Sequence, residues 1–135
     1  MKTLLIILFS IAIITTETVQ ENDLIGIYDI FEFEVINNND SNKTTQSQLE
    51  ENNSVWELAI MEDGKIKQSS NMHSGTLESQ KGTWKSSKNN LTFQLQLDNR
   101  EIELIYTYEL KNNILVLTRS NPSGTMKIIS KFKRK

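Results

Sequence analysis

The 135-residue chain has no cysteine, one histidine and one proline. The first absence excludes disulfides, thiolate metal ligation and cysteine nucleophiles. A single histidine excludes a His–His metal pair and an HExxH zinc helix. Neither sign of charge dominates: 15 Lys and Arg stand against 17 Asp and Glu, and a net charge of −2 leaves no electrostatic footprint for nucleic acid. The length permits one domain and leaves no room for two. Charge and proline are too sparse for wholesale disorder. The sequence also lacks a Gly-x-Ser-x-Gly elbow, a phosphate-binding glycine loop and any clustered Asp/Glu/His set. No catalytic residue, metal site or cofactor is therefore expected, and an enzyme is the least favoured function.

Only one long apolar run is present, and it lies at the N-terminus. Lys2 supplies a positive charge, residues 4–14 (LLIILFSIAII) are apolar or small, and residues 15–22 turn polar. Eleven helical residues reach about 16 Å, half a bilayer's hydrocarbon thickness, so the run is too short to span. Such a segment reads as a secretory signal peptide over residues 1–19, cleaved between Thr16 and Gln20. A buried helix or an uncleaved membrane-surface anchor is the alternative. The expected location is secreted or periplasmic, with no lipoprotein cysteine and no integral span in the mature chain. A mature domain over residues 23–133 must then hold by its own core, without disulfide staples.

From Leu24 onward the apolar residues recur with period two, the signature of strands with one buried face. Leu91, Phe93, Leu95 and Leu97 share a face; Thr92, Gln94, Gln96 and Asp98 take the other. Ile102, Leu104, Tyr106, Tyr108 and Leu110 repeat the pattern, as do Trp56, Leu58 and Ile60. Strands are expected at 24–36, 55–62, 65–70, 74–79, 81–87, 91–98, 101–110, 114–119 and 125–133, eight to nine in all. Asp63-Gly64 reads as a two-residue hairpin, and Asn89-Asn90, Asp98-Asn99, Asn112-Asn113 and Asn121-Pro122-Ser123-Gly124 as further turns. Residues 37–53 contain one apolar residue, Leu49, and read as a mobile loop. The expected fold is all-β: a single antiparallel barrel or sandwich of about eight short strands.

Three pieces of sequence are familiar in combination. Leu24-Ile25-Gly26-Ile27-Tyr28 follows the leader. Val55-Trp56-Glu57-Leu58 leads into Glu62-Asp63-Gly64-Lys65. Gly82-Thr83-Trp84 precedes Asn89-Asn90-Leu91-Thr92-Phe93, and Tyr106 to Leu110 and Leu115 to Arg119 close the run. The order resembles the small secreted lipocalin-like domains of Bacteroidetes-type bacteria, with Tyr28 where tryptophan is usual. The resemblance covers residues 23 to about 132. It implies an up-and-down β-barrel with a closed floor and an open mouth, and no particular ligand. It also implies that Gly26 and Gly82 let backbone approach closely while Tyr28 and Trp84 plug the floor.

Parity along the first strand then creates a conflict. Gly26 and Tyr28 inward would carry Glu32 and Glu34 inward too, where unpaired carboxylates are costly. A bulge near Asp29-Ile30 would switch faces and turn Phe31, Phe33 and Val35 inward. Glu32 and Glu34 would then lie beside Lys127 and Lys131 of the last strand. Arg119, on the face of Leu115 and Leu117, would point inward or cap an end, stacking over Trp84 or Tyr28, or else be a surface residue. His73 reads as an exposed loop residue. Glu50-Glu51 and Glu62-Asp63 read as solvated turn charges. The basic end 131–135 reads as a solubilising tail, with an anionic membrane or glycan as the alternative. Four N-glycosylation patterns, beginning at Asn39, Asn42, Asn52 and Asn90, stay bare in a bacterial export route.

Two functions remain close. One is a barrel that holds a small apolar or amphipathic molecule against Trp56, Leu58, Phe93, Leu95, Tyr106 and Tyr108. The other is a filled barrel acting as a structural or inhibitor-like interaction module through its exterior and the 37–53 segment, its protein partner unknown. The volume of the interior discriminates between them.

Overall fold

The computed structural model describes residues 21–135, so the leader expected over residues 1–19 lies outside the described residues. A short helix α1 (Glu21–Leu24) leads into β1 (Gly26–Asn37), β2 (Asp40–Thr44), helix α2 (Gln46–Glu51) and β3 (Trp56–Ile60). There follow β4 (Lys65–Ser70), β5 (Glu78–Ser87), β6 (Asn90–Leu97), β7 (Arg100–Lys111), β8 (Ile114–Ser120) and β9 (Met126–Arg134). Consecutive strands pair antiparallel from β3 to β9, and β1 pairs with both β3 and β9. Eight strands thus close an up-and-down barrel, and β2 is added outside the cycle. No described helix is long and apolar enough to cross a membrane.

The two-residue period puts alternate side chains inside. Trp56, Leu58 and Ile60 are buried on β3, and Leu91, Phe93 and Leu95 on β6. The tight turns sit where the chain can adopt the left-handed region. Asn37 faces Asp40, Leu97 faces Arg100 and Lys111 faces Ile114, each across two residues. Asn38, Asp98, Asn112 and Asn113 all have positive φ there. Two turns differ from the sequence reading. Ser87 pairs with Asn90, so the β5–β6 turn is Lys88-Asn89, with Lys88 at φ 54°. Gly64 is left-handed as expected and Asp63 is left-handed too, but within a longer loop closed by Met61 N–H donating to Lys65 O at 2.9 Å.

Two expectations are corrected. The strands read at 74–79 and 81–87 form one strand, β5, preceded by a loop at 71–77 in which Gly75 has φ 77°. Residues 37–53 are not an unstructured loop. They complete the β1–β2 hairpin and then form α2, whose Thr45 caps it reciprocally: Gln48 N–H donates to Thr45 Oγ1, and Thr45 N–H donates to Gln48 Oε1. Leu49 is 4% exposed. Polar composition could not sustain a core of its own, but here the ladder and the cap satisfy the backbone and the barrel shelters the one apolar residue.

The face switch on β1 occurs, one residue later than expected. Ile30 faces Phe132 and Glu32 faces Lys131, so Phe31 is the extra residue against β9. Tyr28 is buried below it, and Phe33 packs edge-on against Trp56 above it. Glu32 consequently points out to Lys131 at 2.7 Å and Lys43 at 3.7 Å. The Lys131 ammonium, seconded by Lys43, holds the Glu32 carboxyl below the ordinary carboxylate range. Glu34 does not meet Lys127; it accepts from Ser41 Oγ on β2 at 2.5 Å. A double-mutant cycle of Glu32→Gln and Lys131→Met is expected to give a coupling of about 0.2–1 kcal/mol by urea unfolding. Strict additivity would show that the pair is only solvated charge. The depressed carboxyl pKa makes this coupling present above the unfolded-state pKa and lost as pH falls through the folded-state value.

Candidate binding cavity

Strand direction decides which residues meet. β4, β6 and β8 run from the floor toward the mouth, and β3, β5, β7 and β9 run back down. The floor is solid. Leu24 of α1, Tyr28, Leu58, Ile66, Phe93, Leu115, Leu117 and Phe132 are all 0–1% exposed. Tyr28 donates to the Leu24 carbonyl at 2.8 Å and accepts from Arg134 Nη2 at 2.7 Å. The Arg134 guanidinium lies 5.2 Å from the Tyr28 ring centroid, and the same nitrogen donates to the Asp23 carbonyl. Gly26 leaves room for this side chain, since a Cβ there would lie 3.0 Å from Arg134 Nε. Trp84 plugs the adjacent sector, its Nε1 donating to the Met61 carbonyl at 2.9 Å.

Above this floor the interior is open, with a cavity of about 420 Å³. Each strand contributes the inward residue or residues next toward the mouth: Trp56 above Leu58, Gln68 above Ile66, Gln80 above Gly82, Leu95 and Leu97 above Phe93. Tyr106, Leu104 and Ile102 of β7, Ser130 and Ile128 of β9, and Phe33 of β1 complete the wall. Arg119, Glu78, Met72 and His73 stand at the rim. Trp56 anchors the aromatic side, edge-on to Phe132 at 5.1 Å, Phe33 at 6.4 Å and His73 at 6.3 Å. Its Nε1 donates to Gln68 Oε1 at 3.0 Å, and Gln68 Nε2 donates to Gln80 Oε1 at 3.0 Å. Burial pushes the Tyr106 hydroxyl pKa up, against the opposing pull of Arg119, whose guanidinium lies 5.6 Å from the Tyr106 ring centroid.

The structure distributes the six expected lining residues by depth. Trp56, Leu95 and Tyr106 border the cavity. Leu58 and Phe93 lie below it in the packed core, each 0% exposed. Tyr108 is half-buried against that core and borders a shallow outer depression beside Asn89 and Val116 instead. Among the expected floor residues, Gly26, Tyr28, Gly82 and Trp84 do lie at or next to the floor. Arg119 does not: β8 carries it to the mouth and onto Tyr106, and Arg134 is the arginine stacked on Tyr28. His73 is exposed as read, yet it also touches Trp56. Gln68 and Gln80 escaped the sequence reading because polar residues inside a strand look like its wet face. Their signal was parity, each standing two residues from an inward neighbour. Among the described residues no group of three His, Asp or Glu is placed to hold a metal.

Comparison with known proteins bears on the fold alone. No family model matches the chain, and no curated protein matches it. Among solved structures, it is similar to an uncharacterized protein from Bacteroides eggerthii DSM 20697, with a TM-score of 0.51 and 15% identity over 82% of this chain and 98% of that one.

Proposed function

We propose that this chain is an exported, lipocalin-like, non-enzymatic binder that holds one small apolar or amphipathic molecule in the upper half of its barrel. The observation that carries this reading is the contrast between the two halves. The floor is filled by interlocking side chains, whereas about 420 Å³ above it is left open between largely apolar walls. Cavities of this size and character are typical of small-molecule sites, and an eight-stranded barrel is just wide enough for one such ligand. A module acting only through its exterior has no need of that space.

The test uses Nile red, an uncharged dye that brightens in apolar surroundings. Saturable binding at one dye per chain is expected, with quenching of the cavity residue Trp56 retained in a Trp84→Phe variant. Leu104→Trp, which enlarges a half-buried wall residue into the cavity, is expected to weaken the dye by about tenfold or more while the circular dichroism spectrum stays the same. Undiminished binding to Leu104→Trp would move the dye site elsewhere and defeat the reading.

A further inference from the structure

One run of hydrogen bonds in the cavity wall has a direction fixed at its origin. An indole N–H donates and never accepts. Trp56 Nε1 lies 3.0 Å from Gln68 Oε1, so the Gln68 carbonyl faces the indole and its amide nitrogen faces away. That nitrogen donates to Gln80 Oε1 at 3.0 Å. Gln80 thereby turns its carbonyl toward Gln68, and its NH2 group, on a residue of the cavity wall, has hydrogens to give. Shape alone does not distinguish the two ends of a glutamine amide; here the buried indole orients both of them. Gln68 is only 6% exposed, so reversing the run would set two donors against each other in a place water hardly reaches. At the rim the Arg119 guanidinium adds a second donor. The one carboxylate among the lining residues, Glu78, is on the exposed rim, where it accepts from Ser74 Oγ at 3.3 Å.

We propose that the cavity selects an apolar chain bearing a carbonyl oxygen, which accepts the Gln80 hydrogens, over a plain hydrocarbon or an alkylammonium. This inference rests on the binding function above and names the class of ligand. Trp56 and Gln68 act as positioning residues that together present Gln80 donor-first.

Displacement of Nile red by undecane, 2-undecanone and undecylammonium tests it in the wild type and in Gln80→Glu. The substitution keeps an oxygen for Gln68 Nε2 to donate to and removes the hydrogens that Gln80 has to give. Transfer from water is the same for each ligand in either protein, so comparing affinity ratios isolates the contribution of residue 80. The ketone-to-undecane ratio is expected to fall roughly three- to tenfold in Gln80→Glu, the worth of one net hydrogen bond. Undecylammonium is expected to gain in the same variant. Gln80→Met, which removes donor and acceptor together, should lose the ketone preference without gaining the ammonium, and it serves if the added charge disturbs folding. An unchanged ketone-to-undecane ratio in both variants overturns this inference and leaves the binding function standing. Nile red that never binds the wild type removes both.

Discussion

Gly82→Ala is expected to lower the stability of the barrel by about 3 kcal/mol or more, the upper range for forcing an atom into a filled space. A Cβ at residue 82 would lie 1.7 Å from the Gln94 carbonyl oxygen, 2.7 Å from its carbon and 2.9 Å from Leu95 Cα. All three are backbone atoms of β6, on the strand that pairs with Gly82 through Leu95. A flexible side chain could swing aside; a hydrogen-bonded ladder cannot, so β5 and β6 must separate. Gly124→Ala is the matched control. Its φ is 71°, but nothing lies within 4 Å of the added carbon, so only the cost of a strained backbone is expected, about 1 kcal/mol. Urea unfolding followed by circular dichroism separates the two. Equal losses would mean that the close approach of β5 to β6 is not what requires glycine at 82.

The second large effect is expected at Arg134. Replacing it with methionine keeps much of the side chain's bulk and removes every polar contact it makes. Those contacts join three parts of the floor: Tyr28 of β1, the Asp23 carbonyl in α1, and Asn113 Oδ1 in the β7–β8 turn at 3.1 Å. A loss of about 1.5–3 kcal/mol is expected, the range for hydrogen bonds to a charged group, and of its three partners Tyr28 is the buried one. The change should also loosen α1 and increase hydrogen exchange at Ile25, whose N–H donates to Asn22 O. Arg134→Lys should recover only part, because one ammonium cannot present the planar fork that reaches these partners together. The pH dependence has a definite sign. Burial pushes the Tyr28 hydroxyl pKa up, and the neighbouring Arg134 offsets part of that rise. A raised tyrosine pKa favours folding below the unfolded-state value of about 10 and is lost as pH climbs through the folded-state value. Removing Arg134 takes away the offset, so the Tyr28 hydroxyl should titrate at still higher pH in the methionine variant. A stability loss below about 0.5 kcal/mol would show that the floor is held by Leu24 and its apolar neighbours alone.

Much of this architecture was legible as alternation. Leu91 to Leu97 could be read only as a strand with one wet face. The conflict between Tyr28 and Glu32 on a single face demanded a bulge before either had a position in space. Depth was harder to read, because a period of two says which face a residue occupies and nothing about its height. Phe93 and Leu95 share a face, yet one is buried in the floor and the other borders the cavity. Arg119 was assigned to the wrong end for the same reason. Counting reversals from Gly26 settles it: β8 climbs and β9 descends, so the basic end of β8 reaches the mouth and that of β9 the floor. Over residues 37–53 polar composition points to a loop, whereas Thr45-Gln46-Ser47-Gln48 has the form of a reciprocal cap. Gln68 and Gln80 stayed hidden because their polarity matched the wet face of any strand.

The seam between β1 and β9 has a consequence for how the molecule comes into being. Tyr28 and Arg134, which meet there, are 106 positions apart, so the contact that completes the cylinder is among the most distant the chain makes. Every other neighbouring pair of barrel strands except β1–β3 can zip from its own turn. The ring itself can shut only after synthesis has delivered its final strand, and the loop-closure entropy of that step sets a slow tempo for the whole. Until then β1 presents a long unpartnered edge. A nascent polypeptide in that condition is an open ribbon, vulnerable to edge-to-edge association, and it becomes a closed cylinder only at the last stitch.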